Sequence, residues 1–226
     1  MGGTVRAMPR ARALLGLVVA CALASCSGAG PDAPPSPAPG ALRLVAVGDS
    51  ITAADSPDFA AGELGGASWV RHVVGEDVAF SGGWAVWGAT TAEMAAAVEP
   101  LTGDVLVLLA GTNDAGVPFA ETADNLRAVV ARAEVREVVL CAVPPIDADP
   151  DRADRLNEGL ADLARAEGWG WVPRPEALSD VRGRFAPGMS SDGLHPSEEG
   201  ARVIGRAVAD ALRTGDPRPG GPAAIG

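Results

Sequence analysis

Leu42 to Val47, Val105 to Leu109 and Val138 to Val143 are short runs, apolar at almost every position, and few folds can bury three of them. A strand with one wet face alternates polar and apolar residues, whereas a strand covered on both faces reads as a continuous apolar run. Val78 to Phe80 and Trp171-Val172 add two weaker strands. Helical periodicity fills the gaps, around Ser68 to Val74, Thr91 to Val98, Thr122 to Ala133, Ala153 to Glu167 and Pro196 to Arg213. Strands alternating with helices predict an α/β protein, a three-layer α/β/α sandwich around a mainly parallel five-stranded sheet. About 170 residues suffice for one such core. In open sheets of this kind the chemistry sits outside the carboxyl ends of the strands.

The residues at those ends are reactive ones. The first run leads into Gly48-Asp49-Ser50, and the second into Gly111-Thr112-Asn113-Asp114. Near the chain's end, Asp192-Gly193-Leu194-His195 stands just ahead of Pro196, which suits the first position of a helix. Serine needs a base to take its proton and a third group to hold that base in the right tautomer. Ser50, His195 and Asp192 fill those roles, and the Asn113 side chain is a candidate donor to an oxyanion.

Taken with Gly88 in Trp87-Gly88-Ala89-Thr90-Thr91, these segments resemble the four ordered blocks of the SGNH (GDSL-type) hydrolases. The resemblance covers Leu42 to Leu212 and implies a flavodoxin-like sheet. It implies Ser50 as nucleophile, His195 as base and then acid, and Asp192 as its orienting partner. The oxyanion donors would be the backbone N–H groups of Ser50 and Gly88 with the Asn113 side chain. Two places depart from the family pattern. The second block lacks its usual asparagine, the run being Ser81-Gly82-Gly83-Trp84-Ala85-Val86-Trp87-Gly88, which leaves Gly82 or Gly83 as alternative donors. The segment Ile51 to Phe59 contains Pro57 and several small or acidic residues, so the helix after Ser50 is expected to be short or displaced.

The implied activity is hydrolysis of acyl esters, short-chain or acetyl, through an acyl-serine intermediate, without metal or cofactor. The alternative is a module on the same fold that binds an envelope glycan or lipid without turnover. No Gly-x-Ser-x-Gly is present, so the α/β-hydrolase elbow is absent. Asp147, Asp149, Asp151 and Glu158 match ligand positions of a calcium loop, yet Arg152 replaces its glycine and Pro150 interrupts it. Only two histidines occur and cysteines do not cluster, so zinc has no ligand set. His72 reads as a partly buried helix residue, and Cys141, Trp69, Trp169 and Trp171 as core residues. Trp84 and Trp87 flank the second block and are candidate walls of an acyl or sugar pocket.

Residues 1–25 carry Arg6, Arg10 and Arg12, then the apolar Ala13 to Leu23, the layout of an export signal. Leu23-Ala24-Ser25-Cys26 resembles a bacterial lipobox, implying cleavage before Cys26 and lipid attachment to its thiol; the alternative is a plain secretory signal cut near here, which leaves the chain secreted. Residues 26–40 are rich in Pro, Gly and Ala and read as a tether. The hydrolase domain is expected over 41–213, with a disordered tail over 214–226. Loss of residues 1–25 takes the formal charge from −11 to −14 by removing three arginines and no acid. Such a surface repels nucleic acid and leaves the lipid as the membrane anchor. The expected partners are therefore a small-molecule or glycan acyl ester and the membrane, with the chain acting as an extracytoplasmic monomer.

Overall fold

The structure, a computed structural model, describes residues 1–3 and 36–214. The export signal, Cys26 and nearly all of the tether and tail lie outside the described residues. Five strands form one parallel sheet: β1 (Leu42–Gly48), β2 (Val78–Ala85), β3 (Val105–Leu109), β4 (Glu137–Cys141) and β5 (Gly170–Val172). Their order is β2-β1-β3-β4-β5, the doubly wound arrangement in which the chain changes direction between β1 and β3. Among the described residues the α-helices are α1 (Ser50–Ala53), α2 (Thr91–Ala97), α3 (Phe119–Ala133), α4 (Pro150–Glu167) and α5 (Glu198–Thr214).

Side chains alternate across the interior strands and so feed two cores. Leu44, Ala46, Val105, Val107, Leu109, Val139 and Cys141 face one layer, where Ile204 and Val208 of α5 and Trp69 and Val70 cover them. Val45, Val47, Leu106, Leu108, Val138 and Leu140 face the other, against Met94 of α2, Leu126 and Val129 of α3, and Leu160 and Leu163 of α4. This is the three-layer sandwich that the unbroken apolar runs call for, since each strand has no wet face.

Several boundaries differ from the sequence reading, each for a local reason. β2 continues to Ala85 because its glycines admit a bulge: Leu44 pairs with Phe80, but Ala46 pairs with Gly83, leaving an extra residue on β2. A Cβ on Gly83 would lie 2.0 Å from the Ala46 carbonyl oxygen, so glycine alone lets the two backbones run this close. The segment from Ser68 to Val74 forms only a 3₁₀ turn, Trp69–His72. Pro196 precedes α5 instead of opening it, with Ser197 as the cap: its Oγ accepts the Gly200 N–H at 3.2 Å. The end of the expected tether is pinned, the Ala38 N–H donating to the Glu76 carbonyl at 2.9 Å.

Candidate active site

β1 ends at Gly48 and delivers Asp49 and Ser50 to the rim of the sheet. Asp49 is fully buried, and its Oδ1 caps α1 by accepting the Ile51 N–H at 2.9 Å. Gly48 is required here, because a Cβ would meet Thr52 Oγ1 at 2.1 Å and the Leu109 carbonyl at 2.7 Å. As the sequence reading expects, the following helix is short: α1 has four residues and ends at Ala54, whose φ of 44° is uncommon for alanine.

Ser50 Oγ lies 3.0 Å from His195 Nε2, and His195 Nδ1 lies 2.7 Å from Asp192 Oδ2. The Asp192–His195 segment belongs to no strand, so its shape comes from polar bracing. Asp192 Oδ1 accepts the N–H groups of Leu194 and His195 at 2.9 and 2.8 Å. Ser190 Oγ donates to the His195 carbonyl at 2.7 Å and accepts the Gly193 N–H at 3.0 Å. From outside, the Asp147 N–H donates to the Gly193 carbonyl at 2.9 Å, and Asp147 Oδ1 accepts the Phe185 N–H at 2.8 Å. The His195 hydrogen bonds, side chain first and then backbone, hold the Asp192 carboxyl well below the usual carboxylate range. The carboxylate is thus ready to fix the tautomer with hydrogen on Nδ1, which leaves Nε2 to accept from Ser50.

β3 delivers the third segment. Asn113 Nδ2 donates to the Ala89 carbonyl at 3.0 Å and lies 3.4 Å from Asp49 Oδ2, so one amide ties its own segment to the two neighbouring ones. Its neighbour Asp114 locks them: Oδ1 accepts the Thr91 N–H at 2.9 Å, and Oδ2 accepts the hydroxyls of Thr91 at 2.5 Å and Thr122 at 2.7 Å. Gly88 occupies the turn just after β2 with φ of 73°, where a side chain would be strained. Gly82 and Gly83 lie inside β2 at its bulge instead, a placement that accounts for both glycines by strand packing. Burial pushes the Asp49 carboxyl up to about 6, opposed by the Ile51 N–H and by nearby His195.

A hollow of about 150 Å³ opens beside Ser50, lined by Ile51, Ala54, Asp55, Ala67, Trp87, His195 and Pro196. Trp87 is 62% exposed, and its ring centroid stands 5.2 Å from that of His195. Trp84 does not reach the hollow. It lies within β2, paired with Val47, and packs against the core shared with α2 and α3. A larger hollow of about 320 Å³ lies at the amino ends of the strands, between Leu42, Arg136, Trp169 and Leu212, remote from Ser50.

Residues 46–203 match the model of the GDSL-like lipase/acylhydrolase family. The chain belongs to that family. The fold of this GDSL-family hydrolase recurs in solved structures. An acetylxylan esterase from Geobacillus stearothermophilus is 20% identical, with a TM-score of 0.62 over 76% of this chain and 95% of its own. An α/β hydrolase from the metagenome of Lake Arreo, Spain, is 22% identical, with a TM-score of 0.63 over 78% and 96%. A GDSL-like lipase from Bacteroides thetaiotaomicron is 21% identical, with a TM-score of 0.59 over 77% and 89%. No curated protein sequence matches the chain significantly.

Three supports of this hydrolase site carry no sign of that role in the sequence. Asp147, weighed as a calcium ligand, braces the His195 loop, while Asp149 caps α4 by accepting the Arg152 N–H at 3.1 Å. Asp114 and Ser190 have no signal beyond lying beside residues already singled out. Cys141 is buried, which pushes its thiol upward, and His72 Nε2 lies 2.8 Å from the Gly66 carbonyl, away from Ser50.

Proposed function

We propose that the protein is a serine carboxylic-ester hydrolase that releases short acyl groups, acetyl among them, through an acyl-serine intermediate. One observation carries this reading: the unbroken chain from Asp192 Oδ2 through the His195 ring to Ser50 Oγ, with links of 2.7 and 3.0 Å. Both are hydrogen-bond distances between a nucleophile, its base and the base's orienter.

His195 Nε2 takes the Ser50 proton as Oγ attacks the ester carbonyl carbon. Negative charge builds on the former carbonyl oxygen, stabilised by the N–H groups of Ser50 and Gly88 and by Asn113 Nδ2. The imidazolium, steadied by Asp192, then gives its proton to the departing alcohol. Water enters, loses a proton to Nε2, attacks the acyl-serine and frees the carboxylic acid. Each step uses side chains and backbone groups of this chain.

The acetylxylan esterase among the proteins of this fold supports a small acyl group on a glycan as the substrate. We further place the enzyme outside the cytoplasm, held by a lipid on Cys26. Support for that comes from the lipobox-like Leu23-Ala24-Ser25-Cys26 and the apolar stretch before it.

Hydrolysis of p-nitrophenyl acetate by the wild type and by Ser50→Ala tests the chemistry. Loss of turnover in the variant, and a mass increase on Ser50 after treatment with a fluorophosphonate, are expected. Equal rates would reject the esterase and favour a binding module. For the location, Cys26→Ala is expected to move the protein from the membrane to the soluble fraction; unchanged partitioning would reject lipidation.

A further inference from the structure

The hollow beside Ser50 shares two walls with the reacting groups, Ser50 and His195, and borrows the rest from Ile51, Ala54, Asp55, Ala67, Trp87 and Pro196. Asn113 and Gly88 are not among those walls. A carbonyl oxygen turned toward Asn113 and Gly88 therefore leaves the hollow for another part of the ester. Most of its walls are hydrocarbon, and of its side-chain polar atoms only Asp55 Oδ2, on an exposed residue at the rim, has no partner among the described residues. The indole N–H of Trp87 donates to the Ala54 carbonyl at 3.0 Å, Asp55 Oδ1 accepts the Ala67 N–H at 2.9 Å, and Ser50 bonds to His195. A hydroxyl-rich alcohol placed there would lose its water for a single acceptor at the rim, which is costly, whereas an alkyl tail loses nothing.

We propose that this hollow receives the acyl tail and that Trp87 sets its length. The proposal rests on the esterase reading above and deepens it from an ester to a class of ester. Two contacts hold the indole: the Ala54 carbonyl at its nitrogen and the His195 ring, 5.2 Å away with 33° between the planes. Ala54 itself ends α1 in an unusual conformation, φ 44° and ψ −129°, and its carbonyl is the one that receives the indole N–H. Trp87 is thereby a fixed wall, though more than half of it faces solvent. An apolar cavity of about 150 Å³ holds a molecule the size of benzene, so this hollow, which opens to solvent, covers tails of up to about six carbons, and further carbons pass Trp87 into water.

The direct test is the acyl-length profile of the full chain on p-nitrophenyl acetate, butanoate, hexanoate and octanoate. The wild type is expected to rise in kcat/KM from acetate to hexanoate and to gain nothing further at octanoate, since a methylene adds binding only where it is buried. Trp87→Ala opens the wall and is expected to raise the octanoate-to-acetate ratio about tenfold, while Trp87→Phe, which keeps an aromatic wall, holds the wild-type profile. Ala67→Leu fills the hollow from another wall and is expected to lower butanoate relative to acetate. It also supplies an answer if Trp87→Ala does not fold. An unchanged profile in Trp87→Ala and Ala67→Leu, with Ser50→Ala inactive, overturns the acyl-pocket assignment and leaves the esterase standing. Wild-type activity equal to that of Ser50→Ala overturns both.

Discussion

The side-chain nitrogen of Asn113 stands 3.4 Å from the buried carboxyl of Asp49 and 3.0 Å from the carbonyl of Ala89. Its two hydrogens thus key β3's loop to the segments after β1 and β2. The longer contact lies beyond the usual hydrogen-bond range, so in the mechanism proposed above it is the one given up when substrate oxygen acquires charge. Asn113→Ala is expected to lower kcat by about 10²-fold or more while KM moves little, as loss of an oxyanion donor does in comparable chemistry. Steady-state kinetics on an activated ester check this, and a loss under about threefold would remove Asn113 from the donors.

Asp49 gives the folded state a pH-dependent weakness. Its folded carboxyl titrates at about 6, above the unfolded value near 3.8. Below the unfolded value both states hold the proton and its contribution is complete. As pH rises through the window from about 4 to 6 the unfolded chain releases a proton that the folded chain retains, so stability falls, and it levels off above that. Asp49→Asn keeps an acceptor for the Ile51 N–H and lacks this slope. Relative to the wild type it should gain on the order of 2 kcal/mol between pH 4 and pH 7, measured by urea denaturation. Parallel pH profiles for the two proteins would show that Asp49 is not the group responsible.

Asp192→Asn separates the shape of the loop from the tautomer of its histidine. The remaining Oδ1 still accepts the Leu194 and His195 N–H groups, but an amide NH₂ facing Nδ1 makes Nε2 the protonated nitrogen, which then cannot receive a proton from Ser50. A kcat loss of about 10³- to 10⁴-fold with an unchanged melting curve is expected. Near-normal turnover would mean that Asp192 does not orient His195.

Gly193 lies with φ of 77° against Asp147, where an added Cβ would come 2.7 Å from the Asp147 Cβ. Gly193→Ala must therefore displace the loop that carries His195. Activity is expected to drop about 10²-fold, as a shift of about 1 Å at a reacting group does, with only a modest fall in Tm. Full activity in this variant would disprove the brace between Asp147 and the His195 loop.

The apolar runs made the sheet legible because a strand covered on both faces has no other composition. Leu42 to Val47 and Val105 to Leu109 mark β1 and β3 almost to the residue. β2 was half hidden, since Ser81-Gly82-Gly83 reads as a break until β1 supplies the backbone that needs glycine beside it. That Ser50, His195 and Asp192 meet was legible, because few other arrangements activate a serine. What no local pattern encodes is which polar groups meet across loops. Asp49 under Asn113, Asp114 on Thr91 and Thr122, and Asp147 behind Gly193 are all made by long-range topology. Trp84 and Trp87 looked equivalent, yet one is a strand residue turned into the core and the other a turn residue over His195.

Ser50 and Asn113 hang from β1 and β3, interior strands whose side chains are almost wholly enclosed, while His195 rides a strandless loop held by Ser190 and Asp147. The machinery is thus divided between a durable half and a frail one. On warming, hydrolysis of an activated ester is expected to fall before the far-ultraviolet circular dichroism of the scaffold changes, and to return on cooling, because polar loops open at lower free-energy cost than packed sheets.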